Sequence, residues 1–113
     1  MNLNLFFKSE MKDKVPSVVH VDGSARVQTV NRHTSPLYHR VISEFEKRTG
    51  IPIVLNTSYN TRGEPIVCTP EEAYRCFMRT EMDYLVMGDC LFEKQLQPQW
   101  KESRDWKQEY ALD

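Results

Sequence analysis

The chain has 113 residues, of which 40% are hydrophobic and 27% are charged, a composition typical of one small globular domain. Its formal net charge of -1 provides no positive field for nucleic acid or an anionic membrane, so the sequence predicts neither kind of partner. Its longest apolar run is too short to span a bilayer, and residues 1–7 lack the features of a signal peptide, which favours a cytoplasmic protein.

The cysteines and histidines do not indicate a metal site. Cys68, Cys76 and Cys90 are odd in number and lack the close pairing of a disulfide framework or of zinc ligands. The three histidines are scattered along the chain. We therefore predict no metal ligands, and we expect the thiols to be buried rather than reactive.

The first half of the chain predicts two short strands followed by a helix. Residues 1–14 are expected to form a lead-in segment, since residues 8–16 are polar and rich in lysine. Valines over 18–21 suggest a strand that closes at an Asp-Gly turn, and residues 26–30 alternate as a second strand. Pro36 and Gly50 then bracket a helix with an apolar stripe. Its members should face inward: Tyr38, Val41, Ile42 and Phe45.

The second half predicts a buried strand, a polar loop, a second helix and a last strand. The apolar run over 51–55 (IPIVL) fits a central strand covered on both faces. Residues 56–66 are packed with turn-forming and hydrogen-bonding side chains. A Thr-x-x-Glu capping box begins a helix over 70–80, and residues 84–87 form a strand. Residues 95–113 are predicted to be a polar, tryptophan-containing helical tail.

Two polar segments are candidates for a ligand site because both follow predicted strands, where open α/β sheets bind ligands. In residues 20–28, small residues beside a glycine turn would let a ligand approach the backbone, and Arg26 could bind a phosphate through two hydrogen bonds. In residues 56–64, hydroxyls and amides accompany Arg62. Each segment is open to a simpler interpretation, a hairpin turn for the first and an Asx-stabilised turn for the second.

Together the two segments resemble one family. Residues 20–30, HVDGSARVQTV, are similar to the H-V-D-G-T-A-R-x-Q-T-V stretch of the carbamoyltransferase C-terminal domain, found in nodulation-type and antibiotic O-carbamoyltransferases. Residues 55–73, LNTSYNTRGEPIVCTPEEA, resemble its L-N-T-S-F-N-x-R-G-E-P-I-V-x-T-P-x-D-A run. The resemblance extends over about residues 15–94.

The resemblance implies a fold and an activity. The fold would be α/β (α+β) and YrdC-like, a twisted mixed sheet with two principal helices, and here an incomplete, truncated domain. The family uses ATP, with magnesium, to convert carbamoyl phosphate to a carbamoyl-adenylate and transfers the carbamoyl group to a hydroxyl acceptor. Its iron site lies only in the N-terminal carbamoyltransferase domain, which would be the partner missing from this chain.

The resemblance also implies roles for particular residues. Arg26 and Ser58 would act in catalysis on the adenylate, and the substrate or nucleotide would also contact the following residues: His20, Gln28, Asn60 and Arg62. We expect Arg26, Ser58 and Asn60 to converge on one pocket. A basic K-x-R-type element of the family has no counterpart in residues 1–14, so this chain alone is predicted to be inactive.

Two alternatives remain open at the level of the sequence. The chain could be a non-catalytic remnant or interaction module that keeps the YrdC-like fold, or an RNA-binding protein, which the absence of a basic stripe disfavours. A truncated sheet would expose strand edges, and formation of a homo-oligomer is one way to cover them. The sequence does not identify the acceptor.

Overall fold

A computed structural model describes residues 3–101 of the chain, divided between two compact units, residues 1–56 and 57–113. In the described residues the architecture is mixed α/β, with three α-helices and two small antiparallel sheets of two strands each. No helix among these residues is long and apolar enough to cross a membrane. The single twisted mixed sheet that the sequence predicted is not what the structure describes, because each strand pairs with just one other.

The first unit contains β1 (Asn4–Phe6), α1 (Ser9–Lys12), a 3-10 helix (Pro16–Val18), β2 (Ser24–Arg26) and α2 (Pro36–Thr49). Strands β1 and β2 pair antiparallel, with Leu5 opposite Ala25. The segment predicted as a lead-in therefore contributes a strand and a short helix. The predicted strand over 18–21 is wrong, since a 3-10 helical turn runs from Pro16 to Val18. The strand predicted over 26–30 is also wrong, because β2 ends at Arg26, the last residue that pairs with β1.

Helix α2 has the predicted limits but not the predicted buried stripe. It begins at Pro36 and ends at Gly50, whose φ of 75° and backbone bond to Glu46 form a left-handed C-cap. None of its residues is buried, and Val41 keeps 52% of its surface exposed. The described residues of the first unit therefore do not provide α2 with the apolar partner that its sequence pattern predicts.

Residues 51–55 form no strand, which corrects the prediction of a central strand covered on both faces. Pro52 and Leu55 are exposed, and the other three side chains are half-buried. A strand requires a neighbour for its backbone hydrogen bonds, and Pro52 has no N–H to donate. The apolar character of this run therefore did not by itself specify a strand.

The second unit is built on α3 (Pro70–Arg79), followed by the hairpin of β3 (Tyr84–Met87) and β4 (Cys90–Glu93) and a 3-10 helix (Lys94–Leu96). The predicted capping box is confirmed: the Thr69 hydroxyl accepts from the Glu72 N–H at 3.2 Å, and the Glu72 carboxylate accepts from the Thr69 N–H at 3.1 Å. The predicted strand over 84–87 is confirmed as well.

The buried face of α3 consists of Ala73, Cys76 and Phe77, as predicted. Lys94 lies at the C-terminal end of the helix, where its ammonium donates to the carbonyls of Phe77 and Thr80 and lies 4.1 Å from the centre of the Phe77 ring. Burial lowers the pKa of Lys94 below its ordinary value.

An aromatic cluster extends from α3 to the start of the tail. The Tyr74 ring contacts Phe92 and Trp100 edge-on, at centroid distances of 5.7 and 6.0 Å. Of the predicted helical tail, residues 97–101 lie outside the 3-10 helix and form no α-helix, and the remainder falls outside the described residues.

Phe77 should dominate the stability of the second unit, because its side chain is fully buried. We expect Phe77→Ala to lower the free energy of unfolding by about 3–5 kcal/mol, through lost burial and the cavity left behind. Urea titration followed by circular dichroism would measure this. Phe6→Ala is the matched control, since Phe6 is 76% exposed and its loss should change stability far less. Equal effects of the two substitutions would contradict the assignment of Phe77 to the core.

Candidate functional site

The first unit has an open depression of about 490 Å³ beside β2. Six residues line it: Asn4, His20, Val21, Asp22, Ser24 and Arg26. The structure thus brings two of the sequence-predicted site residues, His20 and Arg26, to one concavity. Both are exposed, so the guanidinium and the imidazole are accessible to a ligand from solvent.

A tight turn shapes this depression. The His20 carbonyl accepts from the Gly23 N–H at 2.8 Å, and the His20 N–H donates to the Ser24 carbonyl at 2.8 Å. Gly23 has a φ of 82°, a conformation that side-chain-bearing residues rarely adopt. The turn of the simpler interpretation is present, but it closes no hairpin, because residues 18–21 form no strand and β2 pairs with β1 instead. The same turn places His20 and Arg26 on a shared surface.

Asp22 stabilises the turn through hydrogen bonds to Ser24. Its carboxylate accepts from the Ser24 hydroxyl at 2.7 Å and from the Ser24 N–H at 2.9 Å. These two bonds, with a smaller contribution from nearby His20, hold the pKa of Asp22 below its ordinary value. The carboxylate is therefore ionised at neutral pH and one of its oxygens is engaged by Ser24.

Gln28 lies beyond β2 and is bound to the end of the first unit. Its side-chain carbonyl accepts from the Asn56 amide at 2.6 Å, and both residues are exposed. Asn56 begins the polar segment that the sequence singled out, so this bond connects the two predicted motifs within the first unit. No pattern in the sequence indicates this pairing, since the two residues are separated by 28 positions.

The second unit contains the rest of the polar segment, residues 57–67, which we call the 57–67 loop. The Asn60 amide nitrogen donates to the carbonyls of Thr61, at 3.0 Å, and Glu64, at 2.8 Å. The Thr61 hydroxyl and N–H both donate to the Glu64 carboxylate, at 2.6 and 3.2 Å. The loop is therefore held by its own polar side chains, although the Asn60 side chain donates to carbonyls here rather than accepting from an N–H as in an Asx turn.

Glu64 connects the loop to α3 through an ion pair with Arg79. The side chains of Glu64 and Arg79 are only 11% and 7% exposed, so this pair is largely withdrawn from water. Burial alone would raise the pKa of Glu64, but the bonds from Thr61 and Arg79 outweigh it and leave that pKa below its ordinary value. The sequence motif contains Glu64 but does not indicate this role for it.

Tyr59 makes a second connection between the loop and α3. Its hydroxyl donates to the Ala73 carbonyl at 2.9 Å, while its backbone carbonyl accepts from the Val67 N–H at 3.1 Å. Burial, with a smaller effect of Cys76, raises the pKa of Tyr59 to about 12. The phenol is therefore protonated at neutral pH and remains a hydrogen-bond donor.

Ser58 and Arg62 are the exposed members of the loop's predicted site residues. Asn60 is half-buried and its amide nitrogen is committed to the loop backbone. Arg26 lies in the first unit and Ser58 in the second, and the expected convergence of these residues on one pocket stays a prediction. Among residues 3–101 the structure has no group of three or more side chains suited to hold a metal ion.

Comparison with known proteins identifies the family. The family model described as carbamoyltransferase C-terminus matches residues 1–94. The chain belongs to the carbamoyltransferase C-terminal family. The matched range includes both polar motifs, the whole of α3 and the β3–β4 hairpin.

Individual relatives agree with this assignment. The chain is 51% identical over 102 residues to an uncharacterized protein of Synechocystis. The aligned residues make up 90% of this chain and 17% of that protein. It is 44% identical over 94 residues to nodulation protein NolO of Bradyrhizobium diazoefficiens, 83% of this chain and 17% of that protein. It is 40% identical over 88 residues to nodulation protein U of Rhizobium tropici, 78% of this chain and 15% of that protein. The chain thus spans about a sixth of the length of these relatives.

The Glu64–Arg79 pair predicts an acid-sensitive second unit. A carboxyl whose pKa is lowered by folding stabilises the fold fully above its unfolded pKa of roughly 4.3, and this contribution is lost as the pH falls through the folded value. We expect the urea midpoint to fall as the pH is lowered from 7 into that range. The fall should be smaller in Glu64→Gln, which has no carboxyl to protonate. An identical pH dependence in both proteins would contradict the role of Glu64.

Proposed function

We propose that this chain is the C-terminal portion of an O-carbamoyltransferase that binds ATP and carbamoyl phosphate, the precursors of a carbamoyl-adenylate. In the complete protein the carbamoyl group would pass to a hydroxyl acceptor. The observation that carries the proposal is the depression in the first unit, where Arg26 and His20 of the family-like motif share one accessible concavity.

The chemistry of the depression suits a phosphate. Arg26 provides a permanently charged, planar donor group, and the His20 ring adds a further polar group. Adenylate formation concentrates negative charge on the α-phosphate and on the leaving pyrophosphate, and fixed cations lower the barrier by stabilising that charge. Arg26 is the residue we assign to this task, with His20 and Gln28 as binding residues.

The 57–67 loop would supply the other half of the site. Ser58 is its exposed hydroxyl donor and Arg62 its exposed cation, and Asn60 is the third residue that the family motif implies. Ser58 is the second residue that we propose to act on the adenylate. In the complete protein we propose that these residues and Arg26 bind the same nucleotide.

The donor set fits magnesium bound chiefly through ATP. Magnesium often takes one or two carboxylates and completes its coordination with substrate phosphates and water. Asp22 supplies one ionised carboxylate in the depression, with one oxygen engaged by Ser24. When bound, the ion would neutralise phosphate charge. We propose that iron belongs only to the N-terminal domain, as the resemblance to the family implies.

The preceding region of the family is the proposed partner of this chain. Within that larger protein we propose a YrdC-like fold with a twisted mixed sheet, of which residues 15–94 are the C-terminal part. The apolar residues that α2 exposes, including Leu37 at 75% and Val41 at 52%, support this proposal. We propose that the assembled protein is cytoplasmic. We also expect the isolated chain to self-associate.

The same exposed apolar surface favours a second candidate function. A chain that had lost catalysis but kept this surface would act as an interaction module. The two functions differ in one respect: only the enzyme portion requires the cationic side chain of Arg26 in the depression. Nucleotide binding by the isolated chain therefore discriminates between them.

Arg26→Gln tests the proposed phosphate site. We expect it to weaken the binding of magnesium–ATP to the 113-residue chain by about 10- to 100-fold, the value of a hydrogen bond to a charged group. Isothermal titration calorimetry would measure the dissociation constants. Arg40→Gln, on the exposed part of α2, is the matched control and should leave binding unchanged. Equal binding by the wild-type chain and Arg26→Gln would reject the assignment.

The isolated chain is expected to bind nucleotide without turning it over. Release of pyrophosphate from ATP and carbamoyl phosphate by the purified chain should stay at the background rate, since the family's basic element has no counterpart in residues 1–14. A coupled pyrophosphate assay measures this. Rapid release that Arg26→Gln abolishes would show that this chain carries a complete site.

A further inference from the structure

The 57–67 loop is closed by hydrogen bonds between its own residues. The backbone bond from Val67 to Tyr59, at 3.1 Å, joins its two ends. Within that closure the Asn60 amide bridges the Thr61 and Glu64 carbonyls at 3.0 and 2.8 Å. The loop's conformation is therefore specified by its own residues.

The loop is also attached to α3 at two separate points. The Tyr59 hydroxyl bonds to Ala73, and the Glu64 carboxylate pairs with Arg79. These two helix positions are about 9 Å apart along the helix axis, at a rise of roughly 1.5 Å per residue. One attachment would leave the loop free to rotate, whereas two fix its orientation on the helix.

We propose that Glu64 and Arg79 are positioning residues for nucleotide binding, which hold the 57–67 loop so that Ser58 and Arg62 meet the phosphates. This inference rests on the proposed function. Neither side chain is exposed enough to contact a ligand directly, at 11% and 7%. They act through the loop, whose Ser58 and Arg62 are exposed on the surface.

Two physical effects follow from this arrangement. A loop that is already ordered loses less conformational entropy when it binds, so its donors bind more tightly than the same groups on a mobile segment. In addition, Glu64 would repel a phosphate if its carboxylate were free. Its charge is instead neutralised by Arg79 at one oxygen, and its other oxygen accepts from Thr61.

The experiment combines two measurements on the 113-residue chain. Amide hydrogen exchange reports the order of residues 57–67, and calorimetry with magnesium–ATP reports the dissociation constant. The variants are Glu64→Gln and Ser58→Ala, with Glu71→Gln as the matched control because Glu71 is an exposed carboxylate in the first turn of α3. Since loss of a buried charge can unfold a protein, Tyr59→Phe, which removes the other attachment, is the milder second variant.

We expect Glu64→Gln to accelerate exchange in the loop and to leave exchange in β3 and β4 unchanged. We expect the dissociation constant to rise roughly tenfold, by analogy with the loss when a residue that orients a metal ligand is removed. Tyr59→Phe should shift both measurements in the same direction. Ser58→Ala should weaken binding without changing exchange, and the Glu64→Gln/Ser58→Ala double variant should lose less than the sum of the single losses. Glu71→Gln should change neither measurement.

Other results would overturn the inference. Faster loop exchange with an unchanged dissociation constant would make the ion pair purely structural, while the proposed function would stand if Arg26→Gln and Ser58→Ala still weaken binding. If Glu64→Gln unfolds, Tyr59→Phe decides by the same two measurements. A wild-type chain that does not bind magnesium–ATP would reject the proposed function, and the positioning role with it.

Discussion

The buried face of α3 is the constraint on which the second unit depends. Phe77 and Cys76 are the largest side chains that the described chain buries fully, and both lie on this helix. The β3–β4 hairpin packs on one part of it and the 57–67 loop attaches to another. Because a two-stranded hairpin is marginally stable in water, its persistence here depends on that helix. The position of the polar loop is thus a consequence of apolar burial.

The charged groups near this core form hydrogen bonds and ion pairs within the protein, so only the other polar groups are available to bind a ligand. Lys94 satisfies carbonyls at the end of α3, and Glu64 is paired with Arg79. A charge withdrawn from water is costly unless it is paired, so these groups have little freedom to bind anything else. Ser58 and Arg62 remain exposed, and they belong to the motif that carries the resemblance to the family.

The first unit shows the opposite balance between burial and exposure. Among its described residues, burial is confined to Val15 and residues 23–25, and α2 presents Leu37 and Val41 to solvent. The matched relatives are about five times as long as this chain, and the residues aligned with it make up 17% of two of them. An apolar helix face in a family of longer proteins is consistent with the proposal that the preceding region covers it. The Asp22–Gly23 turn needs no such partner, since its bonds are local.

Local signals in the sequence determined the elements that depend on adjacent residues. Pro36 and Gly50 defined α2, the Thr69–Glu72 capping box defined the start of α3, and the two polar motifs were sufficient to indicate the family. Sheet pairing was decided by tertiary structure, because an apolar run such as residues 51–55 becomes a strand only where a neighbour accepts its backbone hydrogen bonds. The same holds for the Glu64–Arg79 pair. The two residues are 15 positions apart, and only packing of the loop against α3 brought their charges together.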